Sequence, residues 1–221
     1  MSRQQTVDNL ISAGTVAVIR MSDSTKLKKV AEAIYAGGVS ALEITMTTPN
    51  ALAVIEDVAK TMGDVVQVGV GSVLNADTAI RAIDAGAKYV VSPIFKIEII
   101  EAAHRHDIPA LPGAFSPTEI LHAQEAGADI VKVFPADIVG MSYFKAIKAP
   151  MPHLRLMPTG GVSLTNAGDW LKAGACAGGS GSALLDKQAI AEENEAKLTE
   201  NARTLCESIA KGRKEIEGRL K

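Results

Sequence analysis

Cysteine is nearly absent from this chain, and the two present form no cluster. Cys176 lies in an Ala/Gly-rich strand candidate and Cys206 in the terminal helix, with no C-x-x-C pair and no His/Cys group at metal-ligand spacing. A disulfide framework and a cysteine-built zinc site are excluded, and both thiols read as reduced structural residues. His104, His106, His122 and His153 fall in helix or loop segments away from the candidate chemistry, so no metal is expected. A one-signed charge surplus is missing as well: Lys+Arg 23 against Asp+Glu 25 leaves a net charge of -2, the signs interspersed until a mixed-charge C-terminal helix. Neither nucleic acid nor an anionic membrane is an expected partner. No stretch approaches the roughly 18 consecutive apolar residues of a membrane span. The opening MSRQQTVDNLISAG has no cationic segment followed by an apolar one, and the expectation is a soluble cytoplasmic protein.

What the chain does have is a repeated phrase. Ala36-Gly37-Gly38, Ala85-Gly86-Ala87, Ala126-Gly127-Ala128 and Ala173-Gly174-Ala175 each end a helical pattern just ahead of an apolar run. Each copy reads as a helix stopped by a C′ glycine and followed by a strand. Further apolar runs at 16–19, 65–70, 108–111 and 154–157 lie between them, each followed by a helical pattern, and bring the strand count to eight. Strands alternating with amphipathic helices pair in parallel. With 221 residues, 47% of them hydrophobic, the chain can bury one core. The predicted fold is α/β: a single-domain (β/α)8 TIM barrel over residues 1–221, with a C-terminal helix from about residue 189. Leu198, Ala202, Leu205 and Ile209 give that helix one packing stripe, and its last stretch, KGRKEIEGRLK, reads as a solvated end. An open doubly wound sheet is the runner-up, although no strand-associated G-x-G-x-x-G is present.

Barrels of this kind gather their active sites at the C-terminal ends of the strands, which selects Arg20, Glu43 with Thr45, Ser72, Lys132, Thr159 and Ser182. Lys132 is the most informative. It sits inside Asp129-Ile130-Val131-Lys132-Val133-Phe134-Pro135, a run of the kind buried on both faces, and alternation puts it on one face with Ile130 and Phe134. An amine taken out of water is more readily neutral and can attack a carbonyl carbon to form a Schiff base. The plainer reading is a strand-end lysine whose head reaches solvent. Glu43 alternates with Leu42 and Ile44, so its carboxylate faces the barrel interior, where Lys132 can be its partner. A structural ion pair would explain both residues; imine chemistry also needs the proton shuttle that a semi-buried Glu supplies. Phe134 can wall the imine from water, and Arg20 is placed to pair bidentately with a substrate carboxylate. Residues 157–163, MPTGGVS, read as a strand end, the pair Gly160-Gly161 and a helix start with Ser163 as N-cap. Gly178-Gly179-Ser180-Gly181-Ser182 reads as a second glycine turn after the last strand, and the two together favour a phosphate-bearing substrate.

Several motifs then fall in a familiar order. Glu43-Ile44-Thr45-x-x-Thr48-Pro49, Gly69-x-Gly71-Ser72-Val73-Leu74, Val91-Ser92-Pro93, Leu111-Pro112-Gly113, Val131-Lys132-Val133-Phe134-Pro135-Ala136 and Pro158-Thr159-Gly160-Gly161 resemble the ordered motifs of the 2-keto-3-deoxy-6-phosphogluconate (KDPG) aldolases. That family also includes 4-hydroxy-2-oxoglutarate (KHG) aldolases. The resemblance spans about residues 16–185. It implies a class I aldolase, usually a homotrimer, that needs neither metal nor cofactor. Lys132 would be the Schiff-base lysine and Glu43 the general acid/base. Thr159 and Ser72 would line the pyruvate end, with Arg20, Thr45 and Phe134 beside them, while Gly160, Gly161, Gly181 and Ser182 would bind phosphate. The implied substrate is a phosphorylated keto acid cleaved to pyruvate and glyceraldehyde 3-phosphate. Two departures stand out: Thr47 occupies a position where many members carry arginine, and Gly178 and Ser180 replace branched residues of the last strand. The second is expected to cost packing and to loosen the phosphate turn.

One surface has no catalytic reading. Ala79 with Ile83, and Ile99 with Ala103, define inward stripes on consecutive helices, which leaves Ile80, Ile97 and Ile100 on the flanks. They pack between neighbouring helices or form part of a trimer or larger assembly contact. Two further functions compete with the aldolase: a phosphate-binding barrel isomerase or decarboxylase, which needs no buried nucleophilic lysine, and a catalytically weak barrel serving as an assembly scaffold.

Overall fold

Short apolar runs flanked by glycine form parallel strands, and the amphipathic stretches between them form the helices that cover those strands. The structure, a computed structural model, describes residues 1–219. Its strands are β1 (Thr15–Ile19), β2 (Ala41–Thr45), β3 (Gln67–Gly71), β4 (Val90–Val91), β5 (Ala110–Leu111), β6 (Gly113–Ala114), β7 (Val131–Val133), β8 (Leu156–Pro158) and β9 (Gly178–Ser180). Helix α1 (Arg3–Ala13) precedes them; α2 (Leu27–Ala36), α3 (Ala51–Met62), α4 (Ala76–Asp84), α5 (Ile97–Arg105), α6 (Pro117–Glu125), α7 (Ala136–Lys148) and α8 (Ala167–Lys172) alternate with them; α9 (Lys187–Ala191) and α10 (Glu195–Arg219) follow.

Six strands pair in the order β5-β4-β3-β2-β1-β9 and three in the order β6-β7-β8. Every pairing is parallel. From β1 to β5 each strand lies beside its sequence neighbour without a reversal of order, so the topological switch of a doubly wound sheet is absent. The expected eight strands become nine segments because Pro112, with no N–H to donate, separates β5 from β6. The curled parallel architecture is therefore described in two sheets, and β8 approaches β9 through the single bridge Thr159↔Gly179.

Alternation along the strands sorts side chains into two cores. Val16, Ala41, Tyr89, Val91, Leu111, Ile130, Met157 and Ala177 face inward and are joined by Val7 and Leu10 of α1. Leu42, Ile44, Val68, Val70, Val131 and Val133 face the helices in the larger outer core. Each such burial is worth about 1.5–3 kcal/mol against exposure. Gly38, Gly86, Gly127 and Gly174 of the repeated phrase have φ of 105, 107, 96 and 106°, left-handed values that glycine alone adopts without strain as it turns a helix end into a strand.

Four expectations need correction. The last strand is not the Cys176 run but Gly178–Ser180 itself, since glycine lets neighbours close on it: a Cβ on Gly179 would stand 2.4 Å from Thr159 Oγ1. The strand is not left loose either, because Val162 covers Gly178 and the buried Ser180 hydroxyl meets Thr15 Oγ1 at 3.3 Å. The terminal stripe packs as expected on α2 and α8, but α10 starts at Glu195 and its end is docked rather than solvated. Gly212 meets the backbone of Gly168, Arg213 donates to the Ile11 carbonyl at 2.6 Å, and Lys172 pairs with Glu215 at 2.7 Å; Leu220 and Lys221 lie outside the described residues. Finally, α4 buries Ala79 and Ala82 with Ile80 and Ile83 half-buried, and α5 buries Ile100 to 1% exposure, so Ile100 belongs to the core and Ile97, 51% exposed, is the flank residue left at the surface.

Candidate active site

Lys132 is the middle residue of β7. Val131 and Val133 turn to the helices, so Lys132 and Ile130 turn inward, and Lys132 is only 5% exposed, which removes the reading of a solvent-reaching strand end. Glu43, fully buried, turns inward from β2 between Leu42 and Ile44. The two side chains meet with Nζ and Oε1 3.7 Å apart. That is ion-pair range but too long for a hydrogen bond, and both carboxylate oxygens of Glu43 are without a hydrogen-bond partner. Space for the carboxylate comes from β3, where a Cβ on Gly71 would stand 2.0 Å from Glu43 Oε1. A buried pair with unsatisfied oxygens is costly for stability alone, which favours a role in chemistry.

Beside the pair opens a cavity of about 400 Å³ lined in part by Val18, Arg20, Phe134, Thr159, Gly160, Gly161, Gly181, Ser182 and Lys187. Seven of the predicted site residues thus share one space, with Lys132 and Glu43 outside its lining. Phe134 and Thr159 connect the two. The Phe134 ring centre lies 5.4 Å from Lys132 Nζ and the residue is 38% exposed, so Phe134 links the buried amine to the surface. Thr159 is buried, its hydroxyl is unpartnered, and its N–H donates to the Val133 carbonyl at 3.0 Å.

The glycine turns differ from expectation in detail. Gly160 and Gly161 take φ of 96 and 72°. Ser163 does not cap a helix: its N–H donates to Asn166 Oδ1 at 2.8 Å, the Asn166 N–H returns to Ser163 Oγ at 3.2 Å, and this closed turn delays α8 to Ala167. The donors available to an anion are therefore loop N–H groups rather than a helix terminus. Asp137 packs on the same turn, where a Cβ on Gly160 would stand 2.7 Å from its Oδ1; Arg20 and Lys187 bring the opposite charge. The second turn begins at Gly181, whose carbonyl accepts from the N–H groups of Leu184 and Leu185 at 3.0 and 2.9 Å.

Thr45 and Ser72 do not line the cavity. The fully buried Thr45 hydroxyl donates to the Ile19 carbonyl at 3.2 Å and meets the hydroxyl of exposed Thr47 at 2.8 Å, so it ties β1 to β2. Ser72 sits at φ 60° just past β3. Two contributors were missed. Lys187 enters from α9, whose cap, Asp186 accepting from the Ala189 N–H at 2.7 Å, was legible as Asp three residues ahead of Ala. Tyr89, inward with Val91, is fully buried with its hydroxyl unpartnered, and burial, with the Glu43 charge, pushes the phenol well above its ordinary range. Burial likewise raises the Cys176 thiol to about 11, so it is no candidate nucleophile.

Known proteins are similar to this chain in sequence and in shape. The family described as "Aldolase: KDPG and KHG aldolase" matches residues 7–201. The 2-dehydro-3-deoxy-phosphogluconate aldolase of Pseudomonas aeruginosa is 34% identical over 205 residues, covering 91% of this chain and 92% of that protein. The KDPG aldolase from Legionella pneumophila, solved with pyruvate captured at low pH as a covalent carbinolamine intermediate, superposes with a TM-score of 0.83 at 29% identity over 90% of this chain and 97% of that one. A cube-shaped, highly porous cage designed by fusing symmetric oligomeric domains gives 0.86 at 26% identity over 94% of this chain and 76% of that one. The chain belongs to the KDPG and KHG aldolase family.

Proposed function

We propose that this chain is a class I aldolase that cleaves 2-keto-3-deoxy-6-phosphogluconate to pyruvate and glyceraldehyde 3-phosphate, and 4-hydroxy-2-oxoglutarate to pyruvate and glyoxylate, through an imine on Lys132. The observation that carries this reading is the buried Lys132 amine 3.7 Å from the Glu43 carboxylate. Glu43 takes the ammonium proton, the neutral amine attacks the C2 ketone, and Glu43 returns the proton to the carbinolamine hydroxyl, which leaves as water. The iminium accepts the electron pair as the C3–C4 bond breaks and a base removes the C4 hydroxyl proton. The enamine is then protonated at C3 and hydrolysed to pyruvate. Thr159, with its unpartnered buried hydroxyl, serves as donor to the pyruvyl end, and Arg20 pairs with the substrate carboxylate. Gly160, Gly161, Gly181 and Ser182 hold the phosphate, with Lys187 adding charge. Thr45 and Ser72 shape the strand ends around them.

We place all 221 residues in one domain, with β5 and β6 counted as one strand of a closed (β/α)8 ring. Among the described residues no helix is long and apolar enough to cross a membrane, and we propose a cytoplasmic homotrimer. Exposed apolar residues support assembly: Leu74, Ile94, Ile97 and Ile138 are 52, 41, 51 and 71% exposed. The same exposure favours a second reading, a weakly catalytic scaffold. Intact and peptide mass spectrometry after pyruvate and sodium borohydride, with Lys132→Ala as control, tests the first. A reduced pyruvyl adduct on Lys132 is expected; a folded protein without one would overturn it and leave the scaffold.

A further inference from the structure

Strand β3 shows the interior two glycines where its outward positions carry Val68 and Val70. A Cβ on Gly69 would stand 2.3 to 2.4 Å from three ring carbons of Tyr89, Cζ among them, and a Cβ on Gly71 would stand 2.0 Å from Glu43 Oε1 and 2.6 Å from its Cδ. The phenol arriving from beside β4 and the carboxylate arriving from β2 therefore lie over neighbouring inward positions of one strand, about 7 Å apart along it. Cζ carries the hydroxyl. That hydroxyl and both Glu43 oxygens account for three of the four buried side-chain polar atoms without a partner among the described residues, and the fourth is Thr159 Oγ1. Orphaned buried groups are rare because each costs the desolvation of a group that has nothing to bond. Here three of the four belong to the two side chains that lie over β3.

We infer that Tyr89 is a positioning residue for Glu43, its hydroxyl donating toward the carboxylate through one bridging water and so fixing it beside Lys132. The inference rests on the proposed acid/base role of Glu43. Among the described residues two titratable groups face that carboxylate: Lys132 from β7 and Tyr89. The other inward neighbours, Val16 and Val18 of β1, Leu111 of β5, Met157 of β8 and Ala177 ahead of β9, carry no charge. Burial keeps the phenol protonated and hence a donor.

Tyr89→Phe tests this, because it keeps the ring over Gly69 and removes only the hydroxyl. Borohydride trapping of pyruvate on Lys132 should still reach full occupancy, and the melting temperature should not fall. kcat should drop about 10-fold, and the acid limb of the pH profile of kcat/KM should move to higher pH, since a hydrogen bond to the ionised carboxylate has been lost. In a Glu43→Gln background the same change should have no further effect on rate. If the wild type gives no adduct, the reading of the site itself fails. If the wild type is trapped but Tyr89→Phe leaves the pH profile unmoved, or still slows the Glu43→Gln enzyme, or lowers activity only together with melting temperature, the positioning role is wrong while the aldolase reading stands.

Discussion

A single methyl group at Gly71 should disable this enzyme without touching its proposed nucleophile, Lys132. In Gly71→Ala the new Cβ would lie 2.0 Å from Glu43 Oε1, whereas ordinary contact begins at 3.4 Å, so the carboxylate or the strand must give by roughly 1.4 Å. The strand is held on both sides: Glu43 pairs with Gly69, Thr45 with Gly71, and Val70 with Val90, and the outward Val70 is fully buried. The flexible partner is the glutamate, which must swing away from its position 3.7 Å from Lys132 Nζ. Misplacing a catalytic group by about 1 Å can cost ~10²-fold in rate, and overpacking of a buried site costs about 1–3 kcal/mol. We therefore expect kcat to fall about 100-fold with a modest loss of stability. A coupled pyruvate assay reads the first and urea denaturation the second. Borohydride trapping separates this from damage to Lys132, since the adduct should still form, more slowly. Wild-type kcat in a folded Gly71→Ala protein would refute the argument that the position of Glu43 governs turnover.

Lys132→Ala should remove both adduct and turnover and also destabilise the fold by about 3–5 kcal/mol, because Glu43 is left as a lone buried carboxylate; adding Glu43→Gln should restore most of the stability, as urea denaturation would report. Glu119 accepts from the N–H groups of Phe115 and Ser116 at 2.9 and 2.7 Å, which holds its carboxyl below the ordinary 4.5. Because the folded-state value is depressed, its contribution is present above the unfolded value and lost as pH falls through the folded one. Glu119→Gln should thus trail the wild type at pH 7, by less than about 1 kcal/mol for so exposed a group, and match it at acid pH; a gap that persists in acid would contradict the capping account. Ile97→Lys should change the sedimenting mass at nearly constant melting temperature, whereas Ile100→Lys, placing a charge at a site 1% exposed, should unfold the protein or lower its melting temperature sharply. With its thiol at about 11, Cys176 should resist iodoacetamide at pH 8 in the native state and react once unfolded, as peptide mass spectrometry would show.

Much of this was legible in the sequence because period-2 patterns decide which face a side chain takes. Lys132 with Ile130, and Glu43 opposed to Leu42 and Ile44, follow from parity alone, and the structure places them as parity requires. The repeated Ala-Gly phrase was likewise readable, since a left-handed glycine after a helix is a local event. What failed depends on contacts between distant segments. Gly178–Ser180 reads as a turn because glycine usually breaks strands, and only the approach of Thr159 and Val162 shows why glycine is needed in this one. Thr45 stands at the end of its strand as the alternation requires, but that its hydroxyl donates to the Ile19 carbonyl, 26 residues away, is visible only in the fold. Ser163 reads as a cap, and its reciprocal bonds with Asn166 make it half of a closed turn instead.

The same glycines give the site its character. The three residues with unpartnered buried polar side-chain atoms among the described residues each lie over an inward glycine: Tyr89 over Gly69, Glu43 over Gly71 and Thr159 over Gly179. Larger residues there would close the interior with hydrocarbon and leave no room for the carboxylate, the phenol and the hydroxyl that lie against those glycines. Glycine at these three positions thus exchanges packing for polar space, and the groups admitted are poorly satisfied until something with hydrogen-bonding atoms joins them. A keto acid brings such atoms, a carbonyl and a carboxylate, to the amine we propose attacks it. On this reasoning the layer is unfavourable for the resting fold and favourable for the reaction, and the stability given up at Gly69, Gly71 and Gly179 is what keeps these polar groups free of protein partners that would compete with substrate.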